Sequence, residues 1–447
     1  MARRGEILWG KNRVATKARR ISMHLGPRGC MVGLQVLAIL LLCSVPSKGT
    51  EPKKAGAMPK TFAEAVGFLS KHTTVVELKG ENGAVVAVCP DYQGRIMTSS
   101  LSGRDGASLG WINYDFIAAG QHSPAFNNYG GEDRFWLGPE GGQYGLWFQL
   151  EAKQIVRNWF TPPDLNTGAF RVESRDATRC RLARRVRVTN ASEATFDVEI
   201  KRDLRLLGRG GFAEHFGPSA ARPVQEGQAR LVGFESANTA TNVGPTPWEM
   251  KSGLVSIWTL GQFPAGDKSV IIVPYKPGSE RELGPVVQSD YFGAVPPDRM
   301  QVTPAAVLFR ADGQFRAKLG VSAKRVRPVA GSIDLQTGVL TLVQFSLPDD
   351  PANHFYVNNT WKMSQENAFA GDVFNTYNDG PAEPGVKALG SFYELETLSP
   401  TRPLAKGESL VHHHRTFHVQ ADPPVLATLV KEALGVDIED IRKFIAK

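Results

Sequence analysis

From about Val75 to Val419 apolar residues come in short runs separated by Gly, Pro, Asn and Asp. Such punctuation predicts many antiparallel strands. The clearest runs are 85–89, 181–189, 196–206, 255–260, 270–273, 338–345 and 409–419. In 196–206, Phe196, Val198, Ile200, Leu204 and Leu206 share one parity, and Asp197, Glu199, Lys201, Asp203 and Arg205 share the other. That alternation marks a sheet with one dry and one wet face. Helical patterns flank this region. Thr61 and Glu64 have the spacing of a capping box ahead of Ala65, Val66, Phe68 and Leu69, which predicts a short helix. After Pro424, Leu426, Leu429, Val430, Ala433 and Leu434, then Ile438, Ile441, Phe444 and Ile445, predict one or two terminal helices. Long helical periods are absent before that point, and no internal repeat is visible. The expected class is mainly β: one large antiparallel sandwich over 75–420, with short N-terminal and C-terminal helices in segments 50–74 and 421–447.

Ahead of all this, an apolar run at 31–45 follows Arg28 and precedes Ser47, Lys48 and Gly49. It is shorter than the roughly 20 residues of a membrane span and reads as a secretory signal within a leader at 1–49. The expectation is an exported protein, periplasmic or extracellular, cleaved after Gly49. A lipid anchor at Cys43 is the alternative, although Leu42 stands where a small residue belongs. The leader also explains the charge. The chain has 52 Lys and Arg against 44 Asp and Glu, but the leader takes nine of the former and one of the latter. The body is therefore neutral, which removes any electrostatic reason to expect nucleic acid. Of the four cysteines the body keeps Cys89 and Cys180, and both a disulfide and two buried thiols fit them.

Candidate chemistry gathers in four places. Segment 130–143 sets Glu132, Asp133, Arg134, Trp136 and Glu140 among five glycines and a proline. An indole for a sugar ring and charged groups for its hydroxyls make this a candidate carbohydrate loop. Its alternative is a structural turn in which Arg134 pairs with Glu132, Asp133 or Glu140. Segment 371–381 ends on Asp379, Gly380 and Pro381, a turn by composition whose oxygens would also suit Ca2+, though not in EF-hand spacing. In 392–398, Glu394 and Glu396 share one face of a strand, with Cβ atoms roughly 6–7 Å apart. If that face is dry, one carboxyl has a raised pKa and serves as general acid or base. If it is wet, both are merely solvated charges. Finally, His412 and His414 share a strand face with His418. Zinc would need a third ligand that no spacing marks, so no metal is expected and these histidines are read as facing the carboxylate pair.

The order of these pieces resembles the galactose mutarotase-like superfamily, whose fold is a large β-supersandwich. Segment 83–96 looks like its first hairpin. Leu395, Glu396, Thr397, Leu398, Ser399 and Pro400, followed by 404–409 (Leu-Ala-Lys-Gly-Glu-Ser), look like its last two strands. The Gly-Gly-Glu-Asp-Arg-Phe-Trp, Gly-Leu-Val-Ser-Ile-Trp and Tyr-Asn-Asp-Gly-Pro elements at 130–136, 253–258 and 377–381 are similar to an exported bacterial branch of it. The resemblance implies Glu396 as general base with Glu394 tuning it, and Arg134 as a substrate-binding arginine. Glu132, Asp133, Trp136, Glu140, His412 and His414 complete the expected binding set. It also implies an acid histidine in a central segment, but 236–244 has none. His122 and His215 are the loop histidines that would have to substitute. The function expected is therefore an exported carbohydrate-binding or carbohydrate-modifying protein, aldose 1-epimerase-like if catalytic, without a cofactor. Its alternatives are a non-catalytic glycan-binding or cell-envelope protein, and a hydrolase or lyase on the same scaffold.

Overall fold

In the computed structural model, which describes residues 61–447, the alternating run becomes the strand Thr195–Leu207. Phe196, Val198, Ile200 and Leu204 point inward from it, and so does Arg202, seated in the dry row beside Asp133. The strand belongs to a ten-stranded antiparallel sheet that runs from the edge strand Met300–Val302, through Val339–Phe345, Ser409–Ala421 and Ala229–Asn242, to Arg171–Arg175. Against it lies a five-stranded antiparallel sheet in the order Ala317–Ser322, Asp372–Asn378, Phe392–Leu398, Ser256–Pro264, Arg134–Gly138. A three-stranded sheet, Val76–Lys79, Val85–Cys89 and Arg95–Ser100, joins the last of these through the Ile96–Asp133 bridge. The fold is a large antiparallel β-sandwich with a few helices. The leader, its cleavage site, Cys43 and the linker up to residue 60 lie outside the described residues.

Between the two large sheets Ile271, Val307, Phe309, Val343 and Phe345 meet Phe263, Leu319, Phe374 and Leu395. At roughly 1.5–3 kcal/mol for each buried large apolar side chain, this layer is the main force clamping the sheets together. The outer face of the ten-stranded sheet is covered by helices. Pro423–Leu434 and Ile438–Ile445 lay Leu426, Leu429, Val430, Ile441 and Phe444 over Val270, Ile272, Leu308 and Leu340. Thr61 caps Phe62–Leu69, its hydroxyl accepting from the Glu64 N–H while the Glu64 carboxylate accepts from the Thr61 N–H. Among the described residues no helix is long and apolar enough to cross a membrane.

Two features depart from the sequence reading. Arg209–Gln225 is helical despite Gly210, Gly211, Gly217, Pro218 and Pro223, and it kinks at Gly217, whose φ is +75°. Packing overrides propensity there, because Phe212, Ala220, Ala221 and Val224 are buried with Phe417 under the terminal helices. The candidate loop at 130–143 is a strand at its centre, Arg134–Gly138, whereas in 371–381 the strand Asp372–Asn378 stops ahead of Asp379, Gly380 and Pro381, where the turn was expected. Of the two readings left open for the cysteines, the structure has the thiols: Cys89 and Cys180 are free and buried, and burial pushes both up, Cys180 to about 11.

Candidate functional site

The register of the five-stranded sheet assembles the site. Arg134 lies opposite Leu260, Leu260 opposite Glu396, and Glu396 opposite Asn375. The adjacent row on that face runs Gln262, Glu394, Tyr377, Lys318. On the other side Trp136 faces Trp258. Because side chains alternate along a strand, all of these share the face turned away from the ten-stranded sheet. Loops bring Phe126, Trp159 and Tyr291 over it, through contacts with Arg134, Glu140 and Lys318. Gly320 belongs to the same face. A Cβ there would run into the Asp372 carboxylate, so glycine is what lets Asp372 sit beside the site.

Charges and indoles interlock across this face. Arg134 Nη2 donates to Glu394 Oε1 at 3.1 Å, while its guanidinium lies 3.9 Å from the Trp136 ring centre and 5.1 Å from that of Phe126. Its Nε and Nη1 are buried with no hydrogen-bond partner. Lys318 Nζ donates to Glu396 Oε2 at 3.1 Å and stands 3.8 Å from Glu140 Oε2. Trp258 Nε1 donates to the same Glu396 oxygen at 3.0 Å, and Trp159 Nε1 donates to Glu140 Oε1 at 2.7 Å. Beside them the Tyr291 hydroxyl donates to Asp372 Oδ2 at 2.6 Å, and the Tyr377 hydroxyl to Asp379 Oδ1 at 2.7 Å.

Burial sets the electrostatics. It pushes Glu394 up to about 7, with Arg134 drawing it back and Glu396 adding to the rise. Burial likewise raises Glu140 against the pull of Lys318, and lifts Asp372 to about 6. Lys318 is pushed down by burial, but Glu396 and Glu140 outweigh that and hold it above the ordinary lysine value. Burial lowers Arg134, and Glu394 and Glu396 oppose the change. The two glutamates thus differ in surroundings. Glu396 has a lysine and an indole on one oxygen, whereas Glu394 has one arginine contact and a carboxyl that exchanges its proton near neutral pH. Such a pair is equipped to accept a proton at one position and donate one at another.

The face unites Arg134, Trp136, Glu140, Glu394 and Glu396, and Arg134 and Glu394, which bond to each other, are 260 positions apart. The other four expected residues lie elsewhere, and the binding role assigned to them is corrected. Asp133 pairs with Arg202 between the sheets and accepts from Ser236 Oγ at 2.6 Å. Glu132 is also internal, bonded to the Ser99 N–H at 2.6 Å and to His418 Nε2 at 2.9 Å. Asp133 is one residue from Arg134, so strand parity turns it the opposite way. Gly130 and Gly131, at φ +92° and +113°, end the alternation before Glu132. His412 Nε2 and His414 Nδ1 both meet Thr397 Oγ1, at 2.8 and 2.9 Å. Thr397 neighbours Glu396 and faces inward, so these histidines approach the sheet from its far side. Burial keeps them neutral, pushing His412 down to about 3.

Among the described residues no histidine is hydrogen-bonded to either carboxylate of the pair. His122 contacts Tyr129, and His215 lies on the outer helix near Arg415 and Glu235. Nor is any group of three or more His, Cys, Asp or Glu side chains there placed to hold a metal ion, and Asp372 and Asp379, the carboxylates considered for Ca2+, are engaged by tyrosines. Sequence reasoning missed Lys318, Trp159 and Tyr291. Lys318 carried a signal, since Arg316, Lys318 and Gly320 alternate with Ala317, Leu319 and Val321. Trp159 and Tyr291 come from irregular segments, where no period marks direction.

Residues 60–445 match the model of a family described as a family of unknown function, DUF6786. No curated protein matches the sequence. Several solved structures are similar in three dimensions. One, a candidate aldose 1-epimerase from Escherichia coli K12, is 14% identical, covers 78% of this chain and 99% of its own, and superposes with a TM-score of 0.45. A galactose mutarotase-like protein from Lactobacillus casei is 10% identical over 78% and 99%, with a TM-score of 0.40. An aldose epimerase homologue from C. elegans is 9% identical over 78% and 100%, with a TM-score of 0.41.

Proposed function

The chain belongs to the DUF6786 family of unknown function, and from that premise we propose that it binds a sugar on the outer face of its five-stranded sheet and interconverts the sugar's anomers there. One observation carries the reading: Arg134 is buried at the centre of an acidic and aromatic face with Nε and Nη1 unpartnered. Leaving buried donors unpaired costs about 1–3 kcal/mol each, more when the group is charged, so such a site gains by receiving ligand oxygens. The indoles of Trp136 and Trp258 and the phenyl of Phe126 suit the apolar face of a pyranose ring.

In the proposed reaction Glu396 takes the proton of the anomeric hydroxyl. Glu394, near pH 7, gives a proton to the ring oxygen as the bond between that oxygen and the anomeric carbon breaks, and the open aldehyde recloses from either side. The resemblance of segment 395–400 to the late strand of aldose 1-epimerases supports Glu396 as the base, and the raised Glu394 supports it as the donor in place of a histidine. Lys318 and Trp258 hold Glu396 in position through its Oε2. We further propose that the protein acts outside the cytoplasm, which the basic leader and the apolar run at 31–45 support.

Magnetisation-transfer NMR tests the reaction by measuring anomer exchange of common aldoses at catalytic protein concentration. Wild type is expected to exceed the spontaneous rate, and Glu396→Gln to lose at least about 10²-fold of that excess, the usual scale of a general base. Exchange at the spontaneous rate for every aldose removes the epimerase reading. A second reading, binding without turnover, is favoured by the two donors already on Glu396 Oε2. Saturable binding without exchange, unchanged in Glu396→Gln and lost in Trp136→Ala, would establish it.

A further inference from the structure

Gln262 stands directly opposite Glu394, and the side chains of such cross-strand partners start about 5 Å apart. Its Nε2 donates to Asn128 Oδ1 at 3.1 Å. Both residues are buried, yet Gln262 Oε1 and Asn128 Nδ2 have no hydrogen-bond partner. The two amides therefore offer one unused acceptor beside one unused donor. Turning both over would exchange their roles and leave the same pair. The backbone is bent to make this contact. The Gln262 N–H donates to Gly131 O at 2.8 Å, and Gln262 O accepts from the Trp111 N–H at 3.2 Å, so the residue is tied on both sides. Gly130 and Gly131 then turn the chain so that Asn128 meets Gln262. A Cβ would lie 2.2 Å from Trp111 O at the first and 2.9 Å from Ile96 O at the second, which makes the Gly-Gly step part of the contact. Asn128 also sits between fixed neighbours: Asn127 is bonded twice to Asn166, and Tyr129 is stacked on Tyr92.

Resting on the carbohydrate reading, we propose that Gln262 and Asn128 determine specificity by receiving the 6-hydroxyl of a hexopyranose. That reading sets the anomeric hydroxyl at Glu396 and the ring oxygen at Glu394, with the ring lying toward Arg134, Trp136 and Trp258. The ring oxygen joins the anomeric carbon to C5, and C5 carries the hydroxymethyl group. Beyond Glu394, toward the strand of Arg134, the next side chain on the face is Gln262. A hydroxyl donates one hydrogen bond and accepts others, so a single 6-hydroxyl gives its proton to Gln262 Oε1 and accepts from Asn128 Nδ2. A sugar without it leaves both groups buried and unpaired, which is the basis for rejecting it.

Calorimetric titration of the full chain with glucose, galactose and the 6-deoxy and 6-deoxy-6-fluoro forms of each tests this. At least one of the two hexoses should bind about tenfold or more tightly than its 6-deoxy form. Its fluoro form should lose most of that advantage too, since fluorine has no proton to give Gln262. In Gln262→Met, checked for native circular dichroism, the ratio of hexose to 6-deoxy affinity should fall close to one, whereas a merely structural role would weaken both sugars alike. The wild-type series alone is decisive where the variant does not fold. Equal wild-type affinity for each hexose and its 6-deoxy form, or a preference that survives Gln262→Met, would overturn the inference while the carbohydrate reading stands. Failure of every sugar to bind would overturn both.

Discussion

Asp133 and Arg134 are adjacent in sequence and have opposite surroundings: one is tied to Arg202 inside the sandwich, the other waits half-bonded on the outer face. Their substitutions should therefore separate stability from function. Asp133→Ala leaves the Arg202 guanidinium buried and unpaired, and should cost about 3–5 kcal/mol in urea unfolding. Glu394 makes a prediction about pH. Its carboxyl is raised from 4.5 to about 7 in the folded chain, so the fold holds that proton more tightly than the unfolded chain does. The resulting stabilisation is full below pH 4.5 and is lost as pH rises through about 7. Stability of wild type relative to Glu394→Gln should fall across that interval, and a flat difference curve would remove the raised carboxyl from the account. At this scale the sequence was half legible. Arg134, Trp136 and Glu140 stood out for their place in a glycine-rich segment, and Glu394 and Glu396 for sharing one face of a strand. Glu132 and Asp133 stood out with the same segment, and His412 and His414 as histidines of one strand face, yet their partners are internal, and composition does not reveal which side of a sheet a charge faces.

Strands carry most of what could be read in advance. The 196–206 alternation translates into Thr195–Leu207 because a period of two has one physical meaning on a pleated sheet. The helix Arg209–Gln225 was not readable, since its glycines and prolines argue against helix and only the surface under Phe212 and Val224 argues for it. Segment 130–143 misled in the opposite sense, because glycines at its ends hid the strand Arg134–Gly138 between them. Gly320 shows how one strand position serves the site. Gly320→Ala should displace Asp372 and Tyr291, lowering sugar affinity severalfold more than it lowers the melting temperature would suggest, as measured by parallel titration and calorimetry. The terminal helices have a different task. Removing 423–447 uncovers Val270, Ile272, Leu308 and Leu340, and the truncated chain should bind an apolar dye and aggregate rather than fold with an altered site.

For the whole molecule, helices cover the outer side of the ten-stranded sheet, both sheets share the core between them, and the proposed site lies on the opposite face of the five-stranded sheet. Tryptophans are concentrated there. Trp136, Trp147, Trp159 and Trp258 form one set of ring contacts, which makes intrinsic fluorescence a reporter of this face. The most direct measurement is therefore a fluorescence titration of wild type and Arg134→Met with neutral and acidic monosaccharides. A saturable change in wild type that disappears in a natively folded Arg134→Met protein is the predicted result. No change with any sugar, or the same change in both proteins, would contradict the claim that this sheet face is a carbohydrate site.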